Sequence, residues 1–228
     1  MPNKIMLLFT IVLTFGQLGC AGMLSVKQRP VPVIFDTDIG YDIDDTWALA
    51  FILASPELDL KLVVTDYQNT PEKAKIVAKF LEAAGRIDVA VGIGKKCNDI
   101  IGPQRRWIPD YKLSQYPGKI YQDGIQAMID TIMNSPQPMI LLATGPVPNL
   151  PEALKREPRI VKKARLIGMG GSIKKQHAEW NIRAHRPAAQ KAYAADWDIT
   201  LAPLDTANLV VLDGQDYAKV RDADNPMA

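Results

Sequence analysis

From Val31 onward, short apolar runs alternate with longer amphipathic stretches. "VPVIF" (Val31–Phe35) reads as a buried strand, and "DDTWALAFILAS" from Asp44 as a helix apolar on nearly all sides. "LDLKLVVT" (Leu58–Thr65) alternates like a strand. In "TPEKAKIVAKFLEAAG", Thr70 is the expected N-cap and Pro71 the first helical residue. Ala74, Ile76, Val77, Phe80, Leu81 and Ala84 fall on one face there, and Gly85 stops the helix. "VAVGIG" (Val89–Gly94) predicts a third strand, and residues 95–120, with Pro103, Pro109 and Pro117, a long irregular loop. The alternation then resumes with a helix ("DGIQAMIDTIMNS"), a strand ("MILLAT") and a short helix ("NLPEALKREP"). It closes with a strand ("ARLIGMGG"), a helix ("PAAQKAYAAD") and a strand ("DITLAPL"). Six strands alternating with five helices predict an α/β fold, an open, mostly parallel, doubly wound sheet with helices on both faces.

The first residues break this pattern. "MPNKIMLLFTIVLTFGQLGCAG" has Lys4, then an apolar run from Ile5 to Phe15, then small residues, the layout of an export signal. Residues 1–22 are therefore set apart from a single domain over 23–228. Two processing routes stay open: cleavage after Ala21, or lipidation at Cys20, which would make a lipid anchor the chain's one link to a membrane. Either way the protein is expected to be exported, periplasmic or extracellular. Cys97 then remains as the one cysteine of the body, so no intrachain disulfide is expected, and neither cysteine has zinc-ligand spacing.

Composition narrows the partners. The chain has 228 residues, 47% of them hydrophobic, and a formal net charge of +2, which suits one domain with a substantial core. The basic run "KREPRIVKKAR" (Lys155–Arg165) has no interleaved aromatic residues, so it reads as a solvated surface and no nucleic-acid partner is expected.

The chemistry concentrates in "VIFDTDIGYDIDD", where a strand ends in Asp36, Asp38, Asp42, Asp44 and Asp45. Carboxylates this close raise one another's pKa unless something positive sits among them. Asp44 and Asp45 stand at a helix start, where one of them is accounted for as a cap. Five in ten residues exceed that need. A cation bridging the strand end to the helix start would relieve the repulsion, and all-oxygen donors select a hard ion, Ca²⁺ or Mg²⁺. Further polar clusters follow the later strands: "DYQN", "TGPVPN" and "GGS". In a doubly wound sheet all of these fall at the carboxyl ends of strands, where ligands bind.

"DTDIGYDIDDTWAL" resembles the N-terminal signature of the inosine-uridine-preferring nucleoside hydrolases. So do "ILLATGPVPNLPEALKREPRIVKKARLIGMGGS", like that family's threonine-glycine turn and glycine-rich loop, and "AEWNIRAHRPAAQKAY", like its Glu-aromatic-Asn segment. The blocks run from Val31 to Leu212. The resemblance implies Ca²⁺-dependent hydrolysis of ribonucleosides to base and ribose. It gives Asp38, Asp45 and the main-chain carbonyl of Thr144 as calcium ligands, with Asp38 also the proton acceptor. Asp44, Glu179 and Asn181 would hold sugar hydroxyls, Trp180 would pack inward between the last two, and Asp36 would support Asp38. The family's sugar-binding asparagine after the second strand falls at Gln68 or Asn69, and Asn69 is taken for substrate binding. A small-molecule nucleoside is thus the expected partner, with a homo-oligomer as the family's tendency.

Three departures qualify the resemblance. Asp42 has no assigned role, and His177 and His185, the only histidines, have packing roles open to them as well as leaving-group chemistry. Family members also continue into a C-terminal "HDP"-like motif that supplies another calcium aspartate. The chain ends at Ala228 in "RDADNPMA", where Asp205 and Asp213 are the candidate substitutes. A member that binds nucleoside without turnover is therefore the alternative. A haloacid-dehalogenase-like phosphatase, with Asp36 as phosphoryl acceptor, is the other reading of "DTDIG".

Overall fold

In a computed structural model, residues 29–174 and 178–224 are described, so the N-terminal segment with Cys20, and His177, lie outside the described residues. Strand β1 (Val31–Thr37) leads into helix α1 (Asp44–Ala54), then β2 (Leu58–Thr65), α2 (Thr70–Ala83) and β3 (Ala90–Ile93). After the proline-rich stretch come β4 (Ile120–Tyr121), α3 (Gly124–Asn134), β5 (Met139–Ala143), α4 (Asn149–Arg156) and β6 (Ala164–Met169). Two helices in series, α5 (Trp180–Ala184) and α6 (Arg186–Tyr193), precede β7 (Asp198–Ala202), α7 (Leu204–Ala207) and α8 (Gly214–Arg221).

The strands form one sheet in the order β4-β3-β2-β1-β5-β6-β7, and every pairing is parallel. The expected fold class is thus correct, with one strand more than expected. Strand β4 is only two residues long, too short for any alternation to show, and it lies at the end of the stretch expected to be irregular. Two 3₁₀ turns, Pro103–Trp107 and Leu113–Gln115, occupy the rest of that stretch.

The sheet is buried on both faces, because period-2 strands send alternate side chains each way. Val33 and Phe35 pack with Leu49, Ile52, Val77 and Leu81 on the α1–α2 side. Ile34, Leu62 and Leu141 pack with Met128, Ile132 and Leu150 on the other. Helix α1 is the exception to good coverage: Trp47 is 38% and Phe51 73% exposed, and its outer face borders an apolar groove of about 560 Å³. None of the five clustered aspartates lines that groove.

Helix starts differ from the expected caps in two places. The N-cap of α2 is Asn69, whose side chain accepts the Glu72 amide at 3.4 Å, so Thr70 is the first helical residue. The N-cap of α1 is Ile43, which has no side-chain cap, and Asp44 and Asp45 occupy the first turn. The basic run meets acidic neighbours, with Arg156 at 2.7 Å from Asp123 and Arg159 at 2.6 Å from Glu157, as a solvated surface does. Among the described residues no helix is long and apolar enough to cross a membrane.

Candidate active site

Strand order reverses at β1, which has β2 on one side and β5 on the other. A crevice opens beyond the carboxyl ends of strands at such a switch point. Here a cavity of about 500 Å³ is lined by Asp38, Asp44 and Asp45 from the β1–α1 turn, Gln68 after β2 and Thr144 after β5. Glu179, Trp180 and Asn181 complete its polar wall, and Tyr41, Ile100 and Leu204 stand among its other lining residues. Segments far apart in sequence are thus brought to one place by the parallel topology.

Of the residues singled out in the sequence, Asp38, Asp44, Asp45, Thr144, Glu179 and Asn181 meet in this cavity. Asn69 does not line it, because its carboxamide is committed to capping α2. Gln68 takes the position instead, with its Oε1 buried and without a hydrogen-bond partner. Trp180, expected to pack inward, is 53% exposed with the Arg183 guanidinium over its ring, because α5 turns that position toward the cavity mouth. Asp36 is fully buried behind the cavity, where Asn149 Nδ2 donates to its Oδ1 at 2.6 Å. Nothing bulky can reach it, which removes the phosphoryl-acceptor reading. His185 caps α6 through Nδ1, which accepts the Ala188 amide at 3.3 Å. Asp205, a candidate substitute for the further calcium aspartate, does not line the cavity and instead accepts the amides of Ile173 and Lys174.

The electrostatics follow from burial. Burial, with the neighbouring Asp45, pushes the Asp38 carboxyl well above the usual range. Burial likewise lifts Asp36 to about 7, against the Asn149 hydrogen bond that lowers it. Asp44 is raised as well, by burial and then by Asp45. Thr144 Oγ1 donates to Asp45 Oδ1, and Asn181 Nδ2 donates to the Thr144 carbonyl at 2.7 Å, so both candidate donor groups are fixed in place. Glu179 accepts the amides of Gly171, Asn181 and Ile182 at 3.1, 2.7 and 3.2 Å, joining the glycine-rich turn to α5.

The donor chemistry fits a hard cation: two crowded carboxylates, Asp38 and Asp45, plus a carbonyl with one lone pair still free, and no nitrogen or sulfur among them. Three protein oxygens are a partial set for calcium, which takes six to eight. Among the described residues no three His, Cys, Asp or Glu side chains form a metal-holding group, so the carbonyl is needed to complete even this set.

Four residues were missed in the sequence. Asp66 is fully buried beneath the cavity, and its Oδ2 accepts the Val147 amide at 2.8 Å. That bond holds Val147 at φ 58, a conformation strained for a β-branched residue, and Tyr67 and Gln68 share positive φ values across the same crevice. Asn149 bridges Asp36, the Thr65 carbonyl and the Lys95 amide. Lys73 is buried below Asp38, and Tyr193 leaves its hydroxyl buried and unpartnered. Asp66 and Asn149 lay within the strand-end clusters "DYQN" and "TGPVPN" without being singled out, and Lys73 lies four residues before Val77, on the apolar stripe of α2.

Comparison with known proteins agrees with this geometry. Residues 33–228 match the family described as inosine-uridine preferring nucleoside hydrolase. The pyrimidine-specific ribonucleoside hydrolase RihA of Citrobacter koseri is 30% identical over 220 residues, covering 87% of this chain and 68% of its own length. A plant nucleoside hydrolase, PpNRh1, superposes with a TM-score of 0.72 at 26% identity over 86% of this chain and 66% of that one. The purine-preferring ribonucleoside hydrolase of Gardnerella vaginalis shares the fold, with a TM-score of 0.71 at 24% identity over 84% of this chain and 66% of that one. The chain thus spans about two thirds of the length of these relatives. It belongs to the inosine-uridine preferring nucleoside hydrolase family.

Proposed function

We propose that the protein hydrolyses the N-glycosidic bond of ribonucleosides with Ca²⁺ held by Asp38, Asp45 and the Thr144 carbonyl. The observation that carries this reading is the meeting of Asp38, Asp45, Glu179 and Asn181 in one cavity at the switch point of a nucleoside hydrolase fold. A bound divalent cation would acidify a coordinated water and fix its position. Asp38, at the cavity wall beside the proposed cation, takes a proton from the attacking water. The water oxygen bonds the anomeric carbon, the carbon–nitrogen bond breaks with its electron pair on the base, and the base takes up a proton on leaving.

The sugar is gripped from three sides. Asn181 spends its amide hydrogens on main-chain carbonyls, which leaves its Oδ1 to accept a ribose hydroxyl. Glu179 keeps lone pairs beyond its three amide bonds, and Asp44 stands at the start of α1 with an exposed edge. The unpartnered Gln68 Oε1 suits a fourth hydroxyl contact, so Gln68 replaces Asn69 in that role. Positive charge building on the ribose is stabilised by the surrounding carboxylates. The N-terminal export signal, with or without a lipid on Cys20, belongs to this reading as a separate expectation, tested by the mass and the cell fraction of the mature chain.

The test is base release from a nucleoside panel and a chromogenic riboside, with calcium and then with chelator. Chelator-sensitive release that Asp38→Ala abolishes supports the proposal, and an active Asp38→Ala protein overturns it. Calcium and nucleoside binding without turnover would favour the alternative, a member that binds its ligand and leaves it intact.

A further inference from the structure

Lys73 belongs to α2, yet it has no exposed surface at all. A lysine in that position is rare, because removing an ammonium from water costs far more than one contact returns. Its Nζ donates to the main-chain carbonyls of Asp38 and of Asp66, the latter at 3.4 Å. These two carbonyls belong to the turns that leave β1 and β2, so one side chain ties together the two loops that wall the cavity. Among the described residues no carboxylate lies within ion-pair distance of the amine. Its charge acts instead across the cluster, drawing the Asp38 and Asp66 carboxyls down against burial.

The cluster it serves is lopsided. Asp36 and Asp66 have no exposure, Asp45 has 6%, and Asp38 stands between them at the cavity wall. Asp36 Oδ2 and Asp66 Oδ1 lack any hydrogen-bond partner. Four acidic groups thus face the Lys73 ammonium, whose pKa burial lowers while Asp38, Asp66 and Asp45 oppose that shift. Resting on the cation site of the proposed function, we propose that Lys73 is the resident counter-ion of this cluster. It holds the Asp38 and Asp66 loops together when no divalent cation is bound, and its charge weakens the binding of that cation. Two positive charges that share the same carboxylates repel each other and divide the same attraction. Lys73 touches no reacting atom; it positions the loops and sets the metal affinity.

The full chain is titrated with Ca²⁺ by calorimetry and with Tb³⁺ by luminescence, as wild type and as Lys73→Met, which keeps the linear stem but loses the charge. Thermal unfolding is recorded in chelator and in saturating calcium. The expected result is at least tenfold tighter ion binding by Lys73→Met, with a larger drop in Tm in chelator than in calcium. Binding that is unchanged or weaker, or an equal drop in both media, overturns the proposal. Lys73→Gln restores a donor without charge and separates the two roles. Tightening like that of methionine supports the counter-ion, and wild-type affinity overturns it. A Lys73→Met chain that folds only with calcium present supports it too. Chains that fold with neither residue, calcium present or not, make Lys73 a folding requirement and overturn it. A wild type that binds neither ion removes the cation site and the counter-ion role together, whereas a wild type that binds while the variants bind no tighter removes only the role of Lys73.

Discussion

Replacing Asp36 with asparagine should make the protein more stable above neutral pH, although it removes a carboxyl from the heart of the site. Asp36 is fully buried, its Oδ1 accepts from Asn149, and its Oδ2 has no partner. Burial raises its pKa from the ordinary 3.8 to about 7. A carboxyl with a raised native pKa binds its proton more tightly when folded than when unfolded. Its contribution is therefore fully present below pH ~4 and is lost as pH climbs through ~7. At about 1.36 kcal/mol per pH unit the whole loss is ~4 kcal/mol, of which ~2–3 kcal/mol falls between pH 5 and pH 8. Asparagine has the same shape, keeps the acceptor for Asn149 and never ionises. Urea unfolding in chelator at pH 5 and pH 8 measures the effect. The wild type should lose ~2–3 kcal/mol over that interval through this group, and Asp36→Asn should lose at least ~2 kcal/mol less. Equal losses in the two proteins would refute the assignment of that pH dependence to Asp36.

Two other perturbations follow from close contacts. Gly145→Ala would place its Cβ at 2.9 Å from the Asp38 Cβ, so Asp38 must move. Because misplacement by about 1 Å can cost ~10²-fold in rate, kcat should fall at least tenfold while Tm changes little; an unchanged kcat would show that the turn absorbs the methyl. Glu179→Ala removes three amide bonds at the start of α5, so stability should drop by ~1–2 kcal/mol and KM should rise, with calcium affinity held. A lower Tm with an unchanged KM would leave Glu179 as a cap alone.

The sheet was readable because its central strands are apolar or alternating runs with helices of the right length between them. The longest, Leu58–Thr65, coincides with its predicted span. Strand β4 and helix α5 were not readable, since two and five residues carry no usable period. The site divides in the same way. Crowded charge in a short motif, as in Asp38, Asp44 and Asp45, is visible in the chain itself. Asp66 and Asn149 look like ordinary loop and helix-start residues, and only the fold reveals that both are completely buried. Thr70 and Asn69 are equally good caps on composition, so the choice between them depended on backbone geometry. That choice moves Asn69 out of the cavity and Gln68 into it.

The parallel order of the strands also decides when the site comes into existence. The hydrogen bond from Asn149 to Asp36 spans 113 positions in the chain, and that from Thr144 to Asp45 spans 99. No hairpin or local turn can bring such pairs together early, and closing loops of that length is a slow step in assembly. An unfinished chain therefore has Asp38 and Asp45, which are seven positions apart, but lacks the Thr144 carbonyl until β5 joins β1. The full set of three donors proposed for the ion would exist only once the sheet has formed, so a bound ion would act chiefly by slowing unfolding.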